Sequence, residues 1–178
     1  ASDQINGLAL HRGGGVAVTG TGGTVRFKGN GAFDWAAPYA GRGLAADTNG
    51  NTYVTGFSDV DIATVKLDAM GSNVWLRTID VSGMNWPDVS TAIAVDSPGN
   101  PYVTAWYTWG NTRDRYVGTR VLKYDPVGSL LWDFADPSYG GPVVNQGVAV
   151  SALGEVYVTG NGWGGASGFE TYKIGPSG

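Results

Sequence analysis

A short strand-like segment recurs four times along this chain, and this recurrence constrains the fold more than any other feature. The copies are residues 16–20 (VAVTG), 52–56 (TYVTG), 101–105 (PYVTA) and 156–160 (VYVTG). Each is a run of β-branched or aromatic residues that closes on a small residue, as expected of a β-strand ending at a turn. Four copies in one chain indicate a repeat protein, in which each repeat is one structural unit.

Two further strand-like segments and two glycine turns surround each copy. An alternating apolar segment precedes it, at residues 7–10, 43–46, 92–95 and 147–150. A glycine-containing turn joins the two, at residues 12–15, 47–51, 96–100 and 151–154. A third segment follows, and its basic residues are Arg26, Lys66, Lys123 and Lys173. Glycine permits positive φ, and Asp or Ser can bond the turn backbone, so we predict hairpins.

A tryptophan marks a fourth segment in three of the repeats. Trp35, Trp75 and Trp132 each lie four residues after the glycine of a second turn. In the fourth repeat the sequence stops at Gly178, before an equivalent segment. Because these side chains recur at one structural place, we predict that they pack between neighbouring repeats.

Four antiparallel strands per repeat, with no helical period, predict an all-β fold of β-propeller blades. We predict one domain over residues 1–178, with blades near residues 5–41, 42–90, 91–146 and 147–178. The last blade is predicted to lack its outer strand. Residues 169–174 would then form an open sheet edge, which is a template for pairing with another chain. We therefore expect either self-association through the last blade or a natural chain that continues beyond Gly178.

The second and third repeats carry a family resemblance. The segments AVDSPGNPYVTA (residues 94–105) and VLKYDPVGSLLW (residues 121–132) resemble the bacterial seven-bladed β-propeller repeat, SBBP. The resemblance covers nearly the whole chain and is weaker in the first and last repeats. It implies a propeller in an exported or surface-exposed protein, and it implies no catalytic residues. The chain departs from the family in having four units, spaced 36, 49 and 55 residues apart.

Composition argues against several functions. The formal net charge is −4 and Lys and Arg are not clustered, so nucleic acid and anionic membranes are poor partners. No apolar run approaches the roughly 20 residues of a membrane-spanning helix. With no cysteine and only His11, a thiolate or multi-histidine metal site is excluded, as is a histidine-based triad. We predict no metal and no cofactor.

One acidic turn has a superficial likeness to a calcium loop. Asp47, Asn49 and Asn51 alternate as calcium ligands do, but Gly50 falls at the wrong offset. We therefore predict a plain hairpin turn at these residues.

The connections between strands differ at the two ends of the blades. The first-to-second and third-to-fourth connections share one end, which we name the turn end; the others share the opposite, variable end. All the short glycine turns fall at the turn end. The predicted loops of the variable end are residues 57–61, 81–88, 106–116, 137–146 and 161–169. Loops on a rigid scaffold are where binding usually occurs.

Aromatic and polar residues are interleaved in these loops, in a pattern typical of a carbohydrate-binding surface. A ring face covers the apolar C–H patches of a sugar, and polar groups pair with its hydroxyls. The predicted binding residues are Trp86, Trp106, Trp109, Tyr139, Trp163, Asn111, Arg113 and Asp114, and Tyr107 and Tyr116 belong to the same aromatic set. An open alternative is that these aromatics pack the long loops onto the blades.

We therefore expect a non-catalytic extracellular binding or scaffold module, secreted or at the cell surface, with a carbohydrate or cell-surface glycan as ligand. One alternative is a polysaccharide hydrolase or lyase in which two loop carboxylates converge. The candidate carboxylates are Asp59, Asp61, Asp88, Asp114 and Glu170. Another alternative is a structural fragment of a larger surface propeller protein. No catalytic residue is assigned.

Overall fold

The computed structural model describes residues 4–80, 88–110, 115–136, 144–161 and 168–178. Side chains are described throughout these ranges except at residues 57, 108–110, 115, 116, 136 and 144–146. The described chain forms fifteen β-strands, and none of it forms a helix long and apolar enough to cross a bilayer. The prediction of an all-β fold is confirmed.

Each blade is built from consecutive strands. Blade 1 contains β1 (Ile5–Leu10), β2 (Val16–Gly20), β3 (Gly23–Phe27) and β4 (Phe33–Ala37). Blade 2 contains β5 (Gly43–Ala46), β6 (Thr52–Ser58), β7 (Asp61–Leu67) and β8 (Asn73–Ile79). Blade 3 contains β9 (Val89–Val95), β10 (Pro101–Gly110), β11 (Arg115–Tyr124) and β12 (Leu130–Asp136). Blade 4 contains β13 (Val144–Val150), β14 (Val156–Asn161) and β15 (Phe169–Ile174).

Within every blade the strands are antiparallel and lie in sequence order. Blades 1 to 3 are four-stranded sheets, whereas blade 4 has the order β13-β14-β15. Strand β15 is therefore an edge strand, as predicted for residues 169–174. The described chain is thus a propeller-type fold of four blades, the last of which lacks its outer strand.

The first strand of each blade packs on the first strand of the next. Strand β1 packs on β5, β5 on β9, and β9 on β13. Among the described residues no comparable contact joins β13 back to β1, and the four sheets remain separate. The four blades therefore form an open arc and not a closed ring.

Each blade has two different sides, because successive residues of a strand point to opposite faces. In blade 2, Tyr53 and Trp75 point towards blade 3, on what we name the leading side. Leu44, Val54 and Val65 point towards blade 1, on the trailing side. The same division holds for the other blades, so the arc has a direction.

Apolar clusters between the blades form the core. Between blades 1 and 2 the cluster contains Ala17, Trp35, Ala37, Leu44, Val54, Val65 and Leu67. Between blades 2 and 3 it contains Tyr53, Ile62, Trp75, Ile93, Val103, Ala105, Leu122 and Tyr124. Between blades 3 and 4 it contains Tyr102, Val121, Val156, Val158 and Ile174. Apolar burial between blades is therefore the main source of cohesion.

The recurring tryptophan of each complete blade bonds to the next blade. The indole Nε1 of Trp75 donates a hydrogen bond of 3.1 Å to the carbonyl of Pro126, in the third-to-fourth turn of blade 3. The equivalent bonds, each 3.1 Å, join Trp35 to Ala69 and Trp132 to Pro176. The prediction that these tryptophans pack between blades is confirmed.

A basic side chain beside the tryptophan reaches the same carbonyl in the first two junctions. Arg26 Nη1 donates to the Ala69 carbonyl at 2.9 Å, and Lys66 Nζ donates to the Pro126 carbonyl at 3.0 Å. Both lone pairs of each carbonyl are thereby used, one of them by a charged donor. This shared acceptor joins two side chains of one blade to one turn of the next blade.

A turn glycine lies against the face of the indole. A Cβ atom at Gly128 would come within 2.8 Å of the Trp75 ring, and one at Gly71 within 2.6 Å of the Trp35 ring. Gly128 also has a φ of +88°, a backbone conformation that residues other than glycine rarely adopt. The close approach of ring and backbone therefore requires glycine at this turn.

The loop predicted over residues 106–116 is wrong. Strand β10 continues to Gly110 and β11 begins at Arg115, with Trp109 opposite Tyr116 in the hairpin register. The physical reason is that residues 106–109 (WYTW) are all aromatic or β-branched, so the hairpin ladder extends beyond the usual length of a blade. Residues 111–114 lie outside the described ranges.

We predict that Trp75→Ala lowers the free energy of unfolding by about 3–5 kcal/mol, because it removes a ring that is only 5% exposed. Trp75→Phe keeps most of the buried ring and loses the indole N–H, so it should cost less than Trp75→Ala. Urea unfolding followed by circular dichroism measures both. A loss below about 1 kcal/mol for Trp75→Ala would contradict the inter-blade role.

Gly128→Ala and Gly31→Ala form a matched pair at equivalent turns. Both glycines have positive φ, of +88° and +80°, but a Cβ atom at Gly31 would meet nothing within 4 Å. Both variants should lose about 1 kcal/mol from backbone strain, and Gly128→Ala about 1–3 kcal/mol more from its clash with Trp75. Equal losses in urea unfolding would show that the indole does not lie against the turn.

Candidate functional site

At the turn end several polar side chains form hydrogen bonds within the protein. Asp47 Oδ1 accepts hydrogen bonds from the backbone N–H groups of Asn49 and Asn51, each at 2.9 Å. Asn51 Nδ2 donates to Asp47 Oδ2 at 2.7 Å. The prediction of a hairpin turn here is confirmed. Among the described residues no group of three or more His, Cys, Asp or Glu is placed to hold a metal ion.

A tyrosine extends this turn network to the following blade. The Tyr53 hydroxyl lies 3.2 Å from Asp47 Oδ2 and 3.1 Å from the carbonyl of Gly99 in blade 3. Burial, and then the Asp47 carboxylate, raise the pKa of Tyr53, so its hydroxyl keeps the proton that it donates. Tyr102 repeats the bond to its own turn, donating to Asp96 Oδ2 at 3.1 Å. The turn end therefore serves to join the blades.

His11 takes over this role in blade 1, where Ala17 stands at the place of Tyr53. Its ring is only 4% exposed, and Nε2 shares a hydrogen bond of 3.1 Å with Thr52 Oγ1 of blade 2. Burial, and then the positive charge of Arg26, lower the pKa of His11, so the folded protein holds it neutral at pH 7. The histidine is an inter-blade contact and not an exposed general base.

A cleft of about 340 Å³ opens at the variable end between blades 1 and 2. Its walls come from the start of β1, the turn between β2 and β3, and the connection that precedes β5. The polar side chains that line it are Gln4, Asn6, Thr21 and Arg42. The volume falls within the range of small-ligand pockets, about 300–1,000 Å³.

Hydrogen bonds fix the backbone around this cleft. Asn6 Nδ2 donates to the Gly41 carbonyl at 2.9 Å, and the backbone N–H of Gln4 donates to Thr21 Oγ1 at 3.0 Å. Arg42 follows Gly41 directly and is an exposed residue. Amide groups both donate and accept, and a guanidinium donates in pairs, so the cleft can bind hydroxyl groups or a carboxylate.

Most of the predicted binding residues lie outside the described ranges; these are Trp86, Asn111, Arg113, Asp114, Tyr139 and Trp163. Trp109 lies near the end of β10, and its side chain is not described. Trp106 is half-buried on β10, opposite Thr119 on one side and Val89 on the other. The binding role of these eight residues stays a prediction.

Tyr107, from the same aromatic set, is only 7% exposed. The guanidinium of Arg120 lies 5.3 Å from the centroid of its ring. Two hydrogen bonds join Arg120 to Asp133, which fixes the guanidinium over the ring. Tyr107 therefore packs onto its own blade, as the alternative interpretation of the aromatic residues holds.

The candidate carboxylates are in different environments. Asp59 lies in the tight turn between β6 and β7, with a φ of +56°, and Asp61 is the first residue of β7. Glu170 is exposed on β15 and accepts a hydrogen bond of 2.9 Å from the Tyr172 hydroxyl. Asp88 is fully buried beside the start of β9. The hydrolase alternative stays untested for these carboxylates.

The blades and their tryptophan contacts define a β-propeller-type repeat protein with a polar cleft at its variable end. The chain is similar to the crystal structure of a protein of unknown function from Bacteroides caccae, with a TM-score of 0.63 and 13% identity. That similarity covers 98% of this chain and 61% of the other. No protein-family model and no curated protein matches the chain.

A second solved structure, of luciferin-regenerating enzyme, is similar with a TM-score of 0.55 and 16% identity. The match covers 89% of this chain and 54% of that chain. The present chain therefore spans less than two thirds of the length of either neighbour. At these identities the similarity extends to the fold alone.

Two features of the site were missed by sequence reasoning. The cleft brings together Asn6 and Gly41, which lie 35 residues apart, and no local pattern indicates their approach. The role of His11 did have a signal. Ala17 replaces the tyrosine found in the other three copies of the repeated segment, so another polar group had to reach the next blade from blade 1.

We predict that His11→Gln flattens the pH dependence of stability between pH 7.5 and 5. Because the folded state lowers the pKa of His11, the unfolded chain takes up a proton first as the pH falls below the ordinary value of 6.5. The stability gained from neutral His11 is complete above this pH and is lost as the pH falls towards the pKa of the folded protein. Urea unfolding at both pH values measures the change, and an unaltered slope in the variant contradicts the assignment.

Proposed function

We propose that this protein is a non-catalytic binding module whose variable end holds a carbohydrate. The observation that carries the proposal is a difference in structure between the turn end and the variable end of the blades. At the turn end, tryptophan, tyrosine and histidine side chains bond to neighbouring blades. At the variable end the connections differ in length, and a cleft lies between blades 1 and 2.

The chemistry of the cleft suits a ligand rich in hydroxyl groups. The amides of Gln4 and Asn6 can each donate and accept, which matches the mixed donor and acceptor character of a sugar hydroxyl. Arg42 adds a cation that can bind a ring hydroxyl or the carboxylate of an acidic sugar. The net charge of −4 favours neutral or weakly acidic glycans over polyanions.

Aromatic contact with the sugar is assigned to the other connections of the same end. By strand direction, the strand ends that flank residues 81–87, 111–114, 137–143 and 162–167 all lie at the variable end. These stretches contain Trp86, Tyr139 and Trp163, and Trp109 is the penultimate residue of strand β10, which precedes one of them. In this proposal the rings cover the apolar faces of successive sugar units, and the cleft anchors one unit by hydrogen bonds.

A location outside the cytoplasm, secreted or on the cell surface, is part of the same proposal. Its support is the resemblance of residues 94–105 and 121–132 to SBBP repeats, together with a glycan as the ligand class. A role as one structural part of a larger surface propeller is compatible with binding at the variable end.

Binding is tested by screening the protein on a glycan array and then titrating each hit while tryptophan fluorescence is recorded. Arg42→Ala should lower the affinity about tenfold, the usual cost of one hydrogen bond to a charged group. Trp109→Ala should lower it by a similar factor. Arg12→Ala is the matched control, because Arg12 is an exposed arginine at the turn end, and it should leave the affinity unchanged.

Two results would contradict the proposal. One is an array on which no glycan binds. The other is a loss of affinity from Arg12→Ala as large as that from Arg42→Ala, which would place the ligand elsewhere. Release of reducing ends from a bound polysaccharide, abolished by Asp61→Asn, would replace the binding proposal with the hydrolase alternative.

A further inference from the structure

The first strands of blades 1, 3 and 4 share one irregularity near the variable end. In β1 the register with β2 shifts between Ile5 and Gly7, so Asn6 is an additional residue in the ladder. Strand β9 has the same shift at Thr91, and β13 has it at Gln146. An additional residue of this kind is a β-bulge, which interrupts the pairing and changes the direction of a side chain. The same place in three blades therefore presents a side chain outside the regular ladder.

Arg42 occupies this place in blade 2. It directly precedes Gly43, which lies opposite Thr55 of the repeated segment, and its backbone N–H donates to the Thr55 carbonyl at 2.7 Å. In the other blades the residue after the bulge also lies opposite the threonine of that segment; these pairs are Gly7 with Thr19, Ala92 with Thr104, and Gly147 with Thr159. We name Asn6, Arg42, Thr91 and Gln146 the bulge row.

Every member of the bulge row has a side chain that forms hydrogen bonds: two amides, one guanidinium and one hydroxyl. A bulge bends its strand through the backbone and does not itself require a polar side chain. The position directly after the bulge is different, because it holds only glycine or alanine. The polar side chains of the row therefore point to a role other than shaping the strand.

The small residues after the bulges bring the first strands of neighbouring blades close together. A Cβ atom at Gly7 would lie 3.2 Å from the backbone nitrogen of Leu44, and one at Gly43 would lie 3.0 Å from the Cα atom of Ala92. Strand β9 packs on β13 in turn. The bulge row therefore lies at one level across four adjacent strands, and one ligand can contact several of its members.

The first two members of the bulge row line the cleft between blades 1 and 2. Asn6 and Arg42 are both exposed there. Asn6 Nδ2 donates to the Gly41 carbonyl, whereas its Oδ1 accepts no hydrogen bond from a described residue. The half-buried Thr91 bonds through Oγ1 to the Thr104 hydroxyl at 3.0 Å and to the Thr104 carbonyl at 3.3 Å. A hydroxyl has one donor and two acceptor sites, so Thr91 keeps an acceptor site for a ligand.

We propose that the bulge row binds a uronic acid, a sugar that carries a carboxylate. Arg42 is the only charged member, and its strand lies between those of Asn6 and Thr91. A guanidinium binds a carboxylate through two parallel hydrogen bonds, so Arg42 holds the carboxylate. Amide and hydroxyl groups pair with sugar hydroxyls on either side. The uronic acid occupies the cleft already assigned to a carbohydrate, so its assignment rests on the proposed function.

A purely structural role is the competing explanation of the bulge row. Asn6 bonds to the backbone of blade 2, and Thr91 bonds to Thr104 within its own blade. If these bonds were the whole role of the row, substitutions in it would change the free energy of unfolding and leave the affinity for a sugar unchanged. Measuring stability and affinity on the same variants therefore separates the two roles.

Nuclear magnetic resonance of the ¹⁵N-labelled protein tests the assignment with two matched pairs of sugars. Glucuronic acid is compared with glucose, and galacturonic acid with galactose, because the members of each pair differ in the carboxylate. At least one acid should shift the side-chain amide signals of Asn6 and Gln146, which are assigned from Asn6→Ala and Gln146→Met. The neutral sugar of that pair should bind about tenfold more weakly, because it offers Arg42 no carboxylate.

Two variants and a control identify the groups that bind. Arg42→Ala should abolish the preference for the acid over its neutral partner. Thr91→Val keeps the branched shape and removes the hydroxyl, so it should lower the affinity for the acid about three- to tenfold. Thr48→Val is the matched control, because Thr48 is an exposed threonine at the turn end, and it should leave the affinity unchanged. Circular dichroism and urea unfolding check that each variant is folded.

Three results would overturn the proposal: amide signals of Asn6 and Gln146 that neither acid shifts, equal affinity for acid and neutral sugar, or a Thr91→Val variant that changes stability without changing affinity. The proposed function fails separately, when no glycan binds on the array, and the bulge row then fails with it. A glycan that binds on the array without shifting the amide signals of the row overturns the bulge row alone and leaves the binding module.

Discussion

The structure depends on one contact, in which the tryptophan of a blade lies on the third-to-fourth turn of the next blade. Its indole N–H donates a hydrogen bond to a backbone carbonyl of that turn, which belongs to Ala69, Pro126 or Pro176. The hydrogen bond contributes about 1 kcal/mol net, whereas burying the indole contributes about 3–5 kcal/mol. Burial therefore supplies most of the energy, and the N–H bond fixes where the ring lies. The turn must bring its backbone against the ring face, which explains the glycine at Gly71 and Gly128.

This contact has a direction, and the direction organises the molecule. The tryptophan on the leading side of each complete blade donates a hydrogen bond, and a turn carbonyl on the trailing side of blades 2 to 4 accepts it. The length and sequence of the turns at the turn end are therefore constrained. The opposite end takes no part in these hydrogen bonds. Length changes such as the extended β10–β11 hairpin are therefore tolerated there, and the cleft between blades 1 and 2 opens at that end. The proposed binding function follows from this division.

The sequence was sufficient for the parts that repeat. The strand order, the Asp47 hairpin and the placement of Trp35, Trp75 and Trp132 between blades all follow from patterns present three or four times. The parts that occur once could not be predicted. The extension of β10 into residues 106–110 depends on cross-strand partners in β11, and the cleft depends on packing between residues of different blades. The predicted aromatic site lies in stretches that occur once, and six of its eight predicted binding residues lie outside the described residues.

The most direct test of the tryptophan contact is deuterium exchange of the indole N–H protons, followed by nuclear magnetic resonance. The signals of Trp35, Trp75 and Trp132 are assigned from the three Trp→Phe variants. Exchange slowed to the rate of global unfolding is predicted for Trp35 and Trp75, which are 8% and 5% exposed, and less protection for the half-buried Trp132. Exchange of Trp35 and Trp75 at the rate of a free indole would contradict the account.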